Sequence, residues 1–453
     1  MRYHFIAIGG AVMHNLALDI YSQGNKVTGS DDEIFEPSRS RLANAGLLPA
    51  QTGWFPENIT NDMDVIILGM HAHKDNPELK RALELNIPVL SYPEFIFSQT
   101  QNKKRIVVGG SHGKTTITSM IMHVLLKSDK RFDYLVGAQL EGFDRMVKIS
   151  PKSEIAVLEG DEYLSSSIAP VPKFHLYNPN VAIISGIAWD HMNVFPTFDN
   201  YVEQFKIFIN KIEKGGVLIY CEEDQILNDM VLLNKRDDIK YIPYGVPDHE
   251  IKDGSTAVLY SEKKYPLKVF GAHNLMNMEA AKYACEQCGI GSDVFYESMS
   301  DFTGAAKRLE LMYRSEKSIV YKDFAHSPSK LKATIEAVRS QYPDRTIHAF
   351  VELHTYSSLN PAFLEQYDQS MKMADTAAVF YSPHTLELKK LPPINSQQVK
   401  TAFGRNDLDV IDAPDELKNQ LESRNMDHSI FLMMSSGNWN GVPVFELLKE
   451  RID

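Results

Sequence analysis

Lys114 and Thr115 are the residues with the clearest chemistry. They lie in GGSHGKTT, residues 109–116, after the apolar run RIVV and before Ile117, Met120, Ile121, Val124 and Leu125 at helical spacing. A glycine loop joining a strand to a helix aims backbone N–H groups at one point beside the positive helix end, which suits a polyphosphate. Lys114 would reach the terminal phosphates and the Thr115 hydroxyl would ligand magnesium. The pattern G-x-x-x-x-G-K-[ST] is incomplete, because Val108 stands at its first glycine; the glycines present are Gly109, Gly110 and Gly113.

Acids follow at matching places. IAVLEGDE (155–162) is an apolar run that ends in Glu159, Asp161 and Glu162, as expected of a metal-holding acid at the carboxyl end of a strand. VAIISGIAWDH (181–191) ends in Asp190 and His191, again at the strand edge where α/β sheets place ligands.

These residues need sheets to position them. Strand–helix alternation runs throughout the chain, which predicts parallel sheets covered by helices. With 453 residues, the chain exceeds the roughly 250–300 over which a single core stops growing. The expected fold is α/β with three domains: a Rossmann-like one over 1–100, a central P-loop ATPase-type parallel sheet over 101–310, and a second Rossmann-like one over 311–453. The polar stretch from Gln99 to Arg105 reads as a junction, and Pro243 to Pro266 as an excursion of short strands.

Composition narrows the function further. A net charge of −12 lacks the basic footprint of a nucleic-acid binder. No secretory signal pattern precedes the first strand, and runs such as Val181–Trp189 are too short to span a bilayer. A cytoplasmic protein without nucleic-acid or membrane partners is expected, either monomer or homodimer. Of Cys221, Cys285 and Cys288, the last two form a CEQC in a helical setting with no second pair, so packing or plain surface is expected of them. The opening IAIGGAVMHN, followed by Asp31, has only Gly9 and Gly10 of a G-x-G-x-x-G fingerprint, which argues against a dehydrogenase half.

GGSHGKTT, LEGDEY, AWDHMNVF, GAHNLMN, AAKRLEL and YKDFAHSPS occur in the order and approximate spacing of the Mur ligases, and the chain resembles that family over essentially its whole length. The family's loop is a shorter G-x-x-G-K-[ST]-[ST], whose first glycine is Gly110 here, so Val108 is no defect. The resemblance implies ATP as co-substrate and two magnesium ions. It puts ATP against Gly110, Ser111, His112, Gly113, Lys114, Thr115 and Thr116, with Asn274 and Asn277 in the nucleotide pocket. Thr115 and Glu159 would hold one magnesium, and His191 would share the second with Glu159. Arg308 matches an arginine that contacts the phosphates from a domain junction, Asp323 a third-domain acid that meets the nucleotide, and His326 would approach the amine. Lys206, fifteen residues after His191, matches the spacing of a carbamylated, magnesium-bridging lysine that the alanine-adding and recycling branches generally lack. A UDP-sugar site is implied at Gly9, Gly10, Ala11, Val12, Ser30 and Asp31, although Ala7, Val12 and Asn15 replace common glycines.

The implied reaction is amide formation through an acyl phosphate. Its acid is UDP-N-acetylmuramic acid. Its amine is either the recycled tripeptide L-alanyl-γ-D-glutamyl-meso-diaminopimelate or L-alanine. The run HKDNPELKRALELNIPVLSYPEF, DFAHSP and the C-terminal MMSSGNWNGV favour the tripeptide. His354, in VELHTYSS, replaces an arginine usual in the recycling enzymes, so the peptide accepted could differ.

Overall fold

The computed structural model describes residues 1–189, 194–304 and 309–452. It is an α/β protein with three parallel-dominated sheets and one small antiparallel sheet. By contact density the chain forms two compact units. One comprises Met1–Val246 with Met276–Met299, the other Pro247–Leu275 with Ser300–Asp453.

The first unit holds two sheets. Strands Lys26–Ser30, Arg2–Ile6, Val65–Leu68 and Val89–Ser91 lie in that order, all parallel. The larger sheet has seven strands in the order Lys240–Tyr244, Val217–Cys221, Val181–Ile184, Lys104–Gly109, Ile155–Glu159, Phe132–Leu135 and Val147–Lys148. Only the last pairs antiparallel. Lys104–Gly109 is central, and its Ile106, Val107 and Val108 are fully buried, as a parallel strand covered on both faces requires. Register sets Val108 beside Glu159 and Gly109 beside Ile184, so three neighbouring strands end at one edge.

Tertiary bonds inside this unit fasten helix Ala11–Ser22 to the edge of the larger sheet. Asn15 Oδ1 accepts from Met146 N at 3.0 Å and Asp19 Oδ2 from Ile149 N at 2.9 Å. Gln23 Nε2 donates to the Ile149 carbonyl at 2.8 Å. Asn15, one of the replaced glycines, therefore has a structural task.

In the second unit the excursion is an antiparallel sheet of His249–Lys252, Ser255–Tyr260 and Lys263–Leu267. Thr256 Oγ1 donates to Gln341 Oε1 at 2.7 Å, which ties that sheet to helix Pro328–Gln341. The six-stranded sheet runs Glu310–Arg314, Ser318–Asp323, Ser429–Met434, Thr346–Leu353, Thr376–Tyr381 and Asp409–Ile411, parallel except for its first strand. Apolar side chains fill both of its faces, including Ile319, Val351 and Leu432 on one and Val320, Phe350 and Phe431 on the other. Among the described residues no helix is long and apolar enough to cross a membrane.

The strand expected over residues 181–191 stops at Ile184. Gly186, at φ +133°, breaks the extended run, and Asp190 and His191 lie outside the described residues.

Candidate functional site

The loop after Lys104–Gly109 is held in a shape that its glycines permit. Gly110 has φ +120° and Gly113 φ +76°, both in the left-handed half of conformational space. A side chain on Gly110 would strike Ser185, and one on Gly113 would strike the carboxamide of Asn277. The loop is stitched to the neighbouring strand end: Ser185 N donates to the Gly109 carbonyl at 3.1 Å, and Ser111 N to the Gly186 carbonyl at 3.0 Å. Helix Lys114–Lys127 then begins with Gly113 as its cap.

Lys114 and Thr115 meet the two acids at the end of the adjacent strand. Lys114 Nζ donates to the Gly110 carbonyl at 2.7 Å and pairs with Glu162 Oε2 at 2.8 Å. Thr115 Oγ1 donates to Glu159 Oε1 at 2.8 Å, while Gly137 N donates to Glu159 Oε2 at 2.6 Å. Burial acts to lower the affinity of Lys114 for its proton, but the carboxylates of Glu162, Asp161 and Glu159 outweigh it and raise its pKa. Burial raises the pKa of Glu159, against the Gly137 N–H, the Thr115 hydroxyl and Lys114.

A hydroxyl and a half-buried carboxylate 2.8 Å apart form a hard-oxygen donor set, the kind magnesium takes when phosphates complete its shell. Thr115 and Glu159 thus fit the expected ion. Among the described residues no three His, Cys, Asp or Glu side chains gather as a complete metal cluster. His191 and Arg308 lie outside the described residues. Lys206, on helix Phe198–Asn210, forms an ion pair with Glu203 at 3.2 Å.

The sequence reading missed two members of this site. Glu162 was one acid of three, with no role of its own, yet it is the partner of Lys114. Tyr201 carried no sequence signal; its hydroxyl lies 2.8 Å from Ser111 Oγ and donates to Glu162 Oε1 at 3.4 Å. Asp161, by contrast, pairs with Lys173 at 2.7 Å.

In the first sheet, the turn after Arg2–Ile6 places Gly9 N 2.6 Å from Asp31 Oδ2, and Gly10 caps helix Ala11–Ser22. Ala7 adopts φ +69°, a conformation that the glycine usual there would take without strain. Among the described residues, Ser30 Oγ, at the end of the paired strand, is buried without a hydrogen-bond partner. Burial pushes the Asp31 carboxyl up to about 6, opposed by the Gly9 N–H and reinforced by Asp32. The folded chain therefore holds this proton more tightly than the unfolded one, whose aspartate titrates near about 3.9. Stability contributed by Asp31 is present below that value and is lost as pH rises through about 6. Asp31→Asn is expected to be more stable than wild type at pH 7, with the difference shrinking toward pH 4. Urea denaturation of both proteins across that range measures it, and a pH-independent difference contradicts the assignment.

In the second unit, Asp323 ends its strand with Oδ2 accepting from Leu309 N at 2.6 Å and Oδ1 from Ala325 N at 2.7 Å. His326 Nδ1 lies 2.8 Å from the Phe324 carbonyl. Asn274 Nδ2 donates to the Phe270 carbonyl at 2.9 Å. At the same sheet edge, buried Glu352 accepts from Ser435 Oγ and from Trp439 N, and stands 3.7 Å from His354 Nδ1. A side chain on Gly437 would strike Glu352 and His354, so the SSGNW turn packs directly on that pair.

Comparison with known proteins points to one family. Residues 2–103 match the catalytic domain described for the Mur ligase family, and residues 108–285 match the Mur ligase middle domain. A UDP-N-acetylmuramate–L-alanine ligase of Clostridium tetani is 31% identical over 392 residues, covering 83% of this chain and 82% of the relative. The corresponding ligase of Carboxydothermus hydrogenoformans is 28% identical over 98% of this chain and 95% of its own length. Among solved structures, a murein peptide ligase from Psychrobacter arcticus superposes with TM-score 0.64 at 22% identity, covering 99% of this chain and 98% of the other. The UDP-N-acetylmuramate–alanine ligase of Thermotoga maritima gives TM-score 0.70 at 20% identity, over 100% and 99%. The chain belongs to the Mur ligase family and is an ATP-dependent, ADP-forming amide ligase.

Proposed function

We propose that the chain joins the lactyl carboxylate of UDP-N-acetylmuramic acid to the amine of L-alanyl-γ-D-glutamyl-meso-diaminopimelate. The observation that carries the ligase chemistry is the meeting of Lys114, Thr115, Glu159 and Glu162 at the shared edge of adjacent parallel strands. A carboxylate is a poor electrophile, because its oxygen leaves badly. Phosphorylation by ATP turns that oxygen into part of an acyl phosphate; the amine then attacks the carbonyl carbon and inorganic phosphate departs. Such phosphoryl transfer needs position and charge neutralisation rather than a strong base. Lys114 supplies a cation, and the N–H groups of the Gly110–Gly113 loop orient the phosphates. Thr115 and Glu159 would hold magnesium, with His191 as the expected ligand of a second ion; the metal neutralises phosphate charge when bound.

Asn277 beside Gly113 supports a nucleotide pocket on this face; Asn274, Arg308 and Asp323 are proposed nucleotide contacts on the strength of the family resemblance. Gly9–Val12 with Ser30 and Asp31 is the proposed sugar-nucleotide site. His326 and the Glu352–His354 pair, at the carboxyl edge of the six-stranded sheet, are the proposed amine side. The MMSSGNWNGV stretch there, which resembles the recycling ligases in place of a glycine-rich stretch, supports the tripeptide reading.

A second reading has L-alanine as the amine, and the relatives at 28% and 31% identity favour it. Phosphate release with UDP-N-acetylmuramic acid and ATP, offering tripeptide or L-alanine separately, distinguishes the two. Turnover at least about tenfold higher with the tripeptide is expected, equivalent to about 1.4 kcal/mol of differential transition-state binding. The reverse preference establishes the second reading, and release with neither rejects both.

A further inference from the structure

We propose that Glu162 is a positioning residue that competes with the nucleotide for Lys114, and that Tyr201 makes the exchange possible. The inference rests on reading Lys114 as the cation that meets the phosphates.

Three facts set up the competition. The Lys114 ammonium is 2.8 Å from Glu162 Oε2, and the two side chains are only 14% and 1% exposed. A nucleotide phosphate that draws this ammonium away from Glu162 breaks a largely buried ion pair. Breaking such a pair is costly because it leaves a charge without compensation away from water. In this proposal, phosphate binding exchanges one anion for another around Lys114.

The hydrogen-bond directions show what keeps the released carboxylate tolerable. Ala188 N donates to Ser111 Oγ at 2.7 Å. The one phenolic proton of Tyr201 is donated to Glu162 Oε1 at 3.4 Å. Either hydroxyl can donate across the 2.8 Å contact between Ser111 and Tyr201; with the phenolic proton turned to Glu162, the serine hydroxyl is the donor. The result is a directed chain from the Ala188 N–H through Ser111 and Tyr201 to Glu162. It approaches the carboxylate by the oxygen opposite to the one Lys114 holds, so it persists when the ammonium leaves. A phenol polarised by a donor at its own oxygen is also a stronger donor to the carboxylate. Tyr201 is itself buried, between Phe195 and Phe205, so water does not readily replace it. The same chain joins the phosphate loop to the Ile187–Trp189 segment.

The two substitutions have opposite expected signs. Glu162→Gln keeps the shape but removes the competing charge, so the loop binds ADP more tightly, by about tenfold, the scale of one charge-assisted hydrogen bond. Tyr201→Phe removes the compensating donor, so Glu162 clings to Lys114 and ADP binds about threefold to tenfold more weakly. A merely structural role moves both variants the same way, toward weaker binding, or neither. Calorimetric titration of the full chain with ADP in the presence of EDTA reads this without magnesium and without turnover, and melting curves check that each variant folds. Tighter binding by the first variant together with weaker binding by the second is the expected result. An ADP affinity in Glu162→Gln equal to or below that of wild type overturns the proposal. If that variant does not fold, Tyr201→Phe decides alone, and unchanged affinity there overturns it. Wild-type protein that fails to bind ADP both in EDTA and with added magnesium rejects the phosphate-loop reading instead, so the two failures are distinguishable.

Discussion

Lys114→Ala is expected to reduce ADP release by about 10³-fold or more, the scale on which a charge-stabilising side chain acts in phosphoryl transfer. The ammonium is the cation at the loop, hydrogen-bonded to the Gly110 carbonyl and paired with Glu162. No backbone N–H can replace its full positive charge. UDP-sugar affinity is expected to stay within about twofold, because the proposed sugar site is built from Gly9–Val12, Ser30 and Asp31 on a different sheet. The substitution also leaves Glu162 buried without its cation, a loss of about 3–5 kcal/mol in comparable pairs. Melting temperature must therefore be read beside turnover. The double variant Lys114→Ala, Glu162→Gln is expected to recover stability and none of the activity. Turnover that survives Lys114→Ala removes the loop from the mechanism.

Glu159→Gln is expected to lower turnover by about 10²–10³-fold, the range for losing one preorganised electrostatic contact in a buried site. The carboxylate sits at the end of its strand opposite Val108 and accepts from Thr115 Oγ1 and Gly137 N. Burial already disfavours its charge, so a cation close by gains more from it than from a surface acid. Glutamine keeps the acceptor for Thr115 but cannot neutralise a divalent ion. The magnesium concentration for half-maximal rate should rise by at least about tenfold, as ligand charge is lost from a hard-oxygen site. A magnesium dependence identical to wild type would mean that Glu159 orders the loop and does not hold the ion.

Much of the chemistry is local and could be read from the chain. A glycine-rich turn between an apolar run and a helical period has few conformations available, so GGSHGKTT announces both its shape and its ligand class. Glu159 is legible for the same reason: a strand buried on both faces must be apolar, and an acid at its end stands out. The short strands of His249–Leu267 were visible as polar, turn-rich sequence, although nothing local shows that they pack in the same unit as residues 300–453.

Partnership between distant side chains was decided by tertiary structure. Glu162 is three residues beyond Glu159, but only the packing of helix Phe198–Asn210 brings Tyr201 to its side, and only the pairing of strands Lys104–Gly109 and Ile155–Glu159 brings Lys114 to its other oxygen. Asn15 reads in sequence as a missing glycine and in space as the acceptor for Met146 N. The reason is physical. Backbone conformation and burial periodicity are set by neighbours in the chain, whereas a hydrogen bond spanning forty to a hundred and thirty residues depends on strand order and register, which no local pattern encodes.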